Sequence, residues 1–96
     1  MRVLLIDDHA LVRRGLEELL HSRQVEVVAT AGSGEEGVRL AMELAPEVIL
    51  LDIKMPGMNG IETLQQLRAR GVTAPVIMLT MSREDDDLRA ALRGGA

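Results

Sequence analysis

Four short apolar runs recur along the chain: Arg2–Ile6, Val25–Thr30, Glu47–Leu51 and Pro75–Thr80. Each is rich in Val, Ile and Leu and poor in polar residues, as strands covered on both faces of a parallel sheet are. Between the runs the pattern switches to helical spacing. Val12, Leu16, Leu19 and Leu20 fall at i, i+4, i+7 and i+8, one apolar stripe. Val38, Ala41, Met42 and Ala45 form a second stripe, Ile61, Leu64 and Leu67 a third, and Leu88, Ala91 and Leu92 a less regular fourth. Stop signals follow where they should: Pro46 after the second helix, Gly71 after the third, Gly94-Gly95 after the fourth. Ser33 with Glu36, and Ser82 with Asp85, read as capping boxes opening the second and fourth helices. The acidic cluster Glu84 to Asp87 falls in that last helix's first turn, where it favours the macrodipole.

Strict alternation of this kind predicts an α/β fold, a (βα)₄ run with a parallel sheet and helices on its faces. Residues 1–96 read as one domain, with no linker or low-complexity tract. Composition narrows the function classes. There is no cysteine, which removes disulfides and thiolate metal sites. The absence of Phe, Tyr and Trp removes the usual platform for stacking nucleic-acid bases. A net charge of −4 argues against a nucleic-acid surface on this segment. No apolar run approaches the ~20 residues of a membrane helix, and the start carries no signal-peptide pattern. The cytoplasm is therefore the expected compartment, with no membrane partner.

Ligands of open parallel sheets gather beyond the carboxyl ends of the strands. Those ends carry Asp7 and Asp8 after the first strand, Asp52 at the third and Thr80 at the fourth. Each has a structural reading of its own. Asp8 suits the N-cap of the helix that begins near His9, and Asp7 suits its own loop. Asp52 read alone is a loop acid, and Thr80 a β-branched strand residue. Their coincidence carries the functional reading. Three carboxylates at neighbouring strand ends repel one another unless some are protonated or a cation sits between them. An all-oxygen site of this kind suits Mg²⁺. A metal-bridged carboxylate can accept a phosphoryl group, with Thr80 donating to one of its oxygens. After Asp52, Pro56-Gly57 fits the centre of a type II turn that could present the Lys54 carbonyl to a cation, and Gly57 and Gly60 allow close backbone approach.

Val3-Leu4-Leu5-Ile6-Asp7-Asp8-His9, then Val48 through Asp52-Ile53-Lys54-Met55-Pro56-Gly57 to Gly60, then Pro75 to Thr80, resemble the receiver domain of bacterial response regulators. Asp-Asp-His followed by Leu11-Val12-Arg13-Arg14-Gly15-Leu16 is most similar to the NarL/FixJ-type transcription regulators. The resemblance runs the full length of the chain. It implies a flavodoxin-like (CheY-like) sheet of order 2-1-3-4-5, and a signalling module rather than an enzyme. It implies that Asp52 takes phosphate from a sensor histidine kinase. Asp7 and Asp8 would bind Mg²⁺ with Asp52 and the Lys54 carbonyl, and Thr80 would be the switch hydroxyl. DNA would be reached only through an output domain outside these residues.

The chain departs from that family's pattern at its end. Four βα units stand where the family has five, so the fifth strand, its lysine, its aromatic switch residue and the fifth helix are expected to be absent. Lys54, the only lysine, takes the carbonyl role. Phosphoryl transfer is then expected to be weakened, on the order of 10²–10³ in rate for one lost electrostatic donor. An open Pro75–Thr80 edge predicts self-association. The alternative reading is a truncated or engineered fragment that serves as a structural building block without phosphotransfer. A phosphohydrolase is disfavoured, because Lys54 stands where a general acid would be needed.

Overall fold

The computed structural model describes residues 1–55 and 57–79. In order they form β1 (Arg2–Ile6), α1 (Ala10–Ser22), β2 (Glu26–Ala31), α2 (Gly34–Leu44), β3 (Val48–Asp52), α3 (Gly60–Ala69) and β4 (Val76–Leu79). Each strand lies within a residue or two of its apolar run. All pairings are parallel, in the order β2-β1-β3-β4, a CheY-like arrangement. The expected fourth helix, its Ser82/Asp85 cap, its acidic first turn and Gly94-Gly95 lie outside the described residues.

Side-chain alternation sorts the strands between two faces. On one, Leu4, Ile6, Ile49 and Leu51 meet Val38 and Ala41 of α2, Leu67 of α3, and Met55 in a cluster closed to solvent. On the other, Val3 and Leu5 are buried outside that cluster. α1 packs beside β2 and contributes no side chain to the first cluster, so it serves the second face. That cover is partial. α1 has no buried residue, and Leu11 and Leu19 of its apolar positions stand exposed. β4 is the sheet's edge among the described residues, with Ile77 41% exposed there.

Helix ends explain where the strands stop. Ser33 caps α2, its hydroxyl accepting from the Glu36 N–H at 3.2 Å. The reciprocal half differs from the expected box: the Glu36 carboxylate takes the N–H of Gly32 at 2.9 Å, one residue earlier. α3 opens on a complete box between Asn59 and Glu62, a start not among the expected caps. α1 is different. Its N-cap is His9, with no side-chain cap bond, so Asp8 does not cap it as expected. Gly71, at φ +83°, follows the C-cap of α3 as its position implied.

Gly60 fixes the relation of α3 to β3. A Cβ there would lie 2.5 Å from the Asp52 carbonyl oxygen and 2.7 Å from Ile53 Cα, both backbone atoms that cannot swing aside. Gly15, in α1, has open space around it. We therefore expect Gly60→Ala to destabilise the chain by about 1–3 kcal/mol in urea melts. Gly15→Ala is expected to stabilise it by about 0.5–1 kcal/mol, the ordinary helix gain.

Candidate functional site

Register brings the acids together. β1 pairs with β3 so that Ile6 stands opposite Leu51, which sets Asp7 and Asp52 at the same level one residue on. The Asp7 N–H donates to the Ala31 carbonyl at 3.0 Å, so β1 stays tied to β2 up to this point. Ile53 N–H donates to the Leu79 carbonyl at 2.9 Å, holding β3 to β4 just past Asp52. Both carboxylates therefore project from backbone that is clamped on its sheet side.

Asp7 and Asp52 are shut off from solvent, at 0% and 1% exposure, and Asp8 is partly buried. One oxygen of Asp7 and one of Asp52 accept from the loop that follows each strand. Asp7 Oδ1 accepts the His9 N–H at 2.7 Å, the loop-capping role expected of it. Asp52 Oδ1 accepts the Lys54 N–H at 3.2 Å. Among the described residues, Asp7 Oδ2 and Asp52 Oδ2 are buried with no hydrogen-bond donor, and so is Asp8 Oδ1, whose nearest cationic group is the His9 ring, with Nδ1 at 3.0 Å. Orphaned carboxylate oxygens gathered in one pocket are costly unless protons or a cation answer them.

Asp52 registers that cost. Burial, foremost, pushes its carboxyl up from 3.8 to about 6, and the charges of Asp7 and Asp8 push the same way. The Lys54 N–H and His9 oppose the rise. Ligand atoms of Asp7, Asp8, His9 and Asp52 all lie within 4.8 Å of one another. The donor set is hard oxygen with one imidazole beside it, and a buried oxygen on each of Asp7, Asp8 and Asp52 accepts no hydrogen bond among the described residues, so the residues fit a divalent cation.

Of the residues expected at the site, Asp7, Asp8 and Asp52 come together as the sequence implied. Lys54 is placed in the loop immediately after Asp52, with its N–H turned back to that carboxylate. Thr80 lies outside the described residues, as does Pro56. Gly57, at φ +71°, has the conformation that the third position of a type II turn demands, but a Cβ there would meet no atom of the described residues, so of these two glycines only Gly60 serves a close approach. His9 was not singled out from the sequence. Its proximity to two acids in Asp-Asp-His was the available signal. A groove between α2 and α3, lined by Glu35, Val38, Met42, Met58 and Arg70 among others, includes none of Asp7, Asp8 and Asp52.

Comparison with known proteins matches this geometry. The chain is 42% identical over 95 residues to the nitrate/nitrite response regulator protein NarL of Escherichia coli (strain K12), covering 98% of this chain and 44% of that protein. Its likeness to NarP of the same strain is 47% identity over 96 residues, covering 99% and 45%. The chain thus spans about half the length of the curated relatives it matches. Among solved structures it resembles the CheX-CheY-BeF3-Mg+2 complex from Borrelia burgdorferi, with TM-score 0.81, 28% identity, and 100% and 73% coverage. It also resembles the signal receiver domain of the putative response regulator NarL from Mycobacterium tuberculosis, with TM-score 0.78, 34% identity, and 99% and 77% coverage. Residues 3–96 match the family described as the response regulator receiver domain. With its parallel sheet and the acidic pocket of Asp7, Asp8 and Asp52, the chain belongs to the receiver domain family of two-component response regulators, a signalling module rather than an enzyme family.

Proposed function

We propose that Asp52 is the phosphoacceptor of this domain and that Asp7, Asp8 and Asp52, with the Lys54 carbonyl, hold Mg²⁺ beside it. The observation that carries the reading is the pair of buried, unpartnered oxygens on Asp7 and Asp52 at adjacent strand ends. In the reaction, an Asp52 carboxylate oxygen attacks phosphorus in line. The P–N bond of a kinase phosphohistidine breaks, and the imidazole leaves with a proton from solvent. Asp52 must be ionised to attack, and its raised pKa makes this depend on what neutralises the pocket. Bound Mg²⁺ supplies that neutralisation and shields the phosphoryl oxygens. Thr80, one residue past β4, is the switch hydroxyl in this scheme.

The donor is a sensor histidine kinase, and the output is transcriptional, through a DNA-binding domain outside these residues. The first is the partner class that a phosphoaspartate receiver requires. The second follows from the likeness to NarL and NarP. New negative charge at the strand ends beside β4 gives the signal its physical form. A second reading, self-association through β4, is favoured by the exposed Ile77 on an edge that has no strand partner among the described residues.

Incubated with acetyl phosphate and Mg²⁺, the 96-residue chain is expected to gain one phosphoryl group slowly, as read by intact mass. Asp52→Asn and omission of Mg²⁺ should each abolish the gain. Uptake that survives Asp52→Asn overturns the assignment. Without divalent cation, the folded chain holds the Asp52 proton up to about pH 6 and the unfolded chain only to about 3.8. Because the folded form binds more protons in that interval, this group's contribution to stability falls as pH rises from about 4 through 6. Asp52→Asn should remove that fall and raise Tm near neutral pH, by roughly 5 °C. A Tm profile unchanged by the substitution contradicts it. For self-association, sedimentation velocity should show a dimer that Ile77→Lys disperses, and a stable monomer at high concentration refutes it.

A further inference from the structure

His9 stands over the acidic pocket and has no part in the scheme above. Its Nδ1 lies 3.0 Å from Asp8 Oδ1, 3.4 Å from Asp7 Oδ1 and 3.9 Å from Asp52 Oδ2. In an octahedron with bonds of about 2.1 Å, neighbouring donors are about 3 Å apart and opposite donors about 4.2 Å apart. The imidazole nitrogen thus sits at the spacing of a fellow ligand. Its backbone is pinned there, since the His9 N–H donates to Asp7 Oδ1 at 2.7 Å and its carbonyl accepts from the Arg13 N–H at 2.9 Å. The ring itself is 59% exposed, so it can adjust to an ion at little desolvation cost.

We infer that His9 is a further ligand, a nitrogen donor that gives the pocket a preference for late first-row divalent cations over Mg²⁺. The inference rests on the cation-binding reading of Asp7, Asp8 and Asp52, whose buried unpartnered oxygens point independently to a ligand in the same space. Carboxylate oxygens alone form a hard site, whereas adding an imidazole favours ions such as Co²⁺ and Ni²⁺. Mg²⁺ keeps oxygen ligands and water, and gains little from the ring. His9 therefore sets which ion the pocket takes and leaves Mg²⁺ binding itself to the acids.

The test is calorimetric titration of the 96-residue chain with Ni²⁺ and, separately, with Mg²⁺ at one fixed pH. His9→Gln should weaken Ni²⁺ binding by at least about tenfold and Mg²⁺ binding by no more than about twofold. His9→Asn, which restores a strong capping side chain at the start of α1, should do the same and guards against a folding defect. His21→Gln, in the last turn of α1, should change neither. In the Mn²⁺-loaded chain, pulsed electron paramagnetic resonance should show imidazole nitrogen coupling that His9→Asn removes. A Ni²⁺ to Mg²⁺ ratio unmoved by both His9 variants, or no nitrogen coupling in the unmodified chain, overturns the inference. If Asp7→Asn still abolishes Mg²⁺ binding in that case, the acidic pocket stands and only the His9 donor is refuted. Mg²⁺ binding that neither Asp7→Asn nor Asp52→Asn disturbs refutes the pocket and this inference together.

Discussion

Everything at the working end of this domain depends on a repulsion that the backbone enforces. Parallel register sets Asp7 of β1's exit level with Asp52 of β3, and the sheet's hydrogen bonds hold both strands in place. The backbone beneath the two carboxylates cannot move outward without breaking the Asp7–Ala31 or the Ile53–Leu79 bond. The fold thus keeps like charges together in a region shut off from water, where their interaction is strongest. The arrangement is unfavourable until protons or a cation answer the clustered carboxylates.

The remaining structure supplies the framework for that tension. The cluster of Leu4, Ile6, Ile49 and Leu51 under α2 and α3 is apolar and closed, so strain at the strand ends is not absorbed by a soft core. The second face is more open. α1 buries none of its residues completely, and Leu11 and Leu19 remain exposed. Close-packed support lies under the pocket on the α2–α3 side, while the α1 side and, among the described residues, the β4 edge are less covered.

Much of this is legible in the sequence. The strands are short, nearly pure Val/Ile/Leu runs, and such runs permit few alternatives once helical stripes separate them. The acids were legible for the same reason, since a strand's last residue is fixed by where its apolar run stops. Details that depend on competition between neighbours were less legible. Asp8 has the side chain of a good cap, yet it is held in the pocket and leaves the N-cap position to His9. Glu36 reaches Gly32 rather than closing a box with Ser33, because the chain entering α2 offers that N–H within reach. The Asn59–Glu62 box is the amide counterpart of the Ser-based pattern, since an Asn side chain accepts the same N–H at the start of a helix. Gly60 was recognised as permissive, but only the structure identifies the Asp52 carbonyl as what it must admit.

The hydrogen bond from the Gly60 N–H to the Ile53 carbonyl, at 2.9 Å, closes the loop that follows Asp52 into a ring at its base. Closure of such a ring carries an entropic cost that folding meets in advance. A ligand that arrives at Asp52 then finds the base of its neighbouring loop already gathered, and loses less of its binding free energy to ordering the chain. The same clamp fuses the first turn of α3 to the end of β3. The backbone just past the carboxylate and the start of a helix thus share one hydrogen-bonded contact, so the two are neighbours in space as well as in sequence.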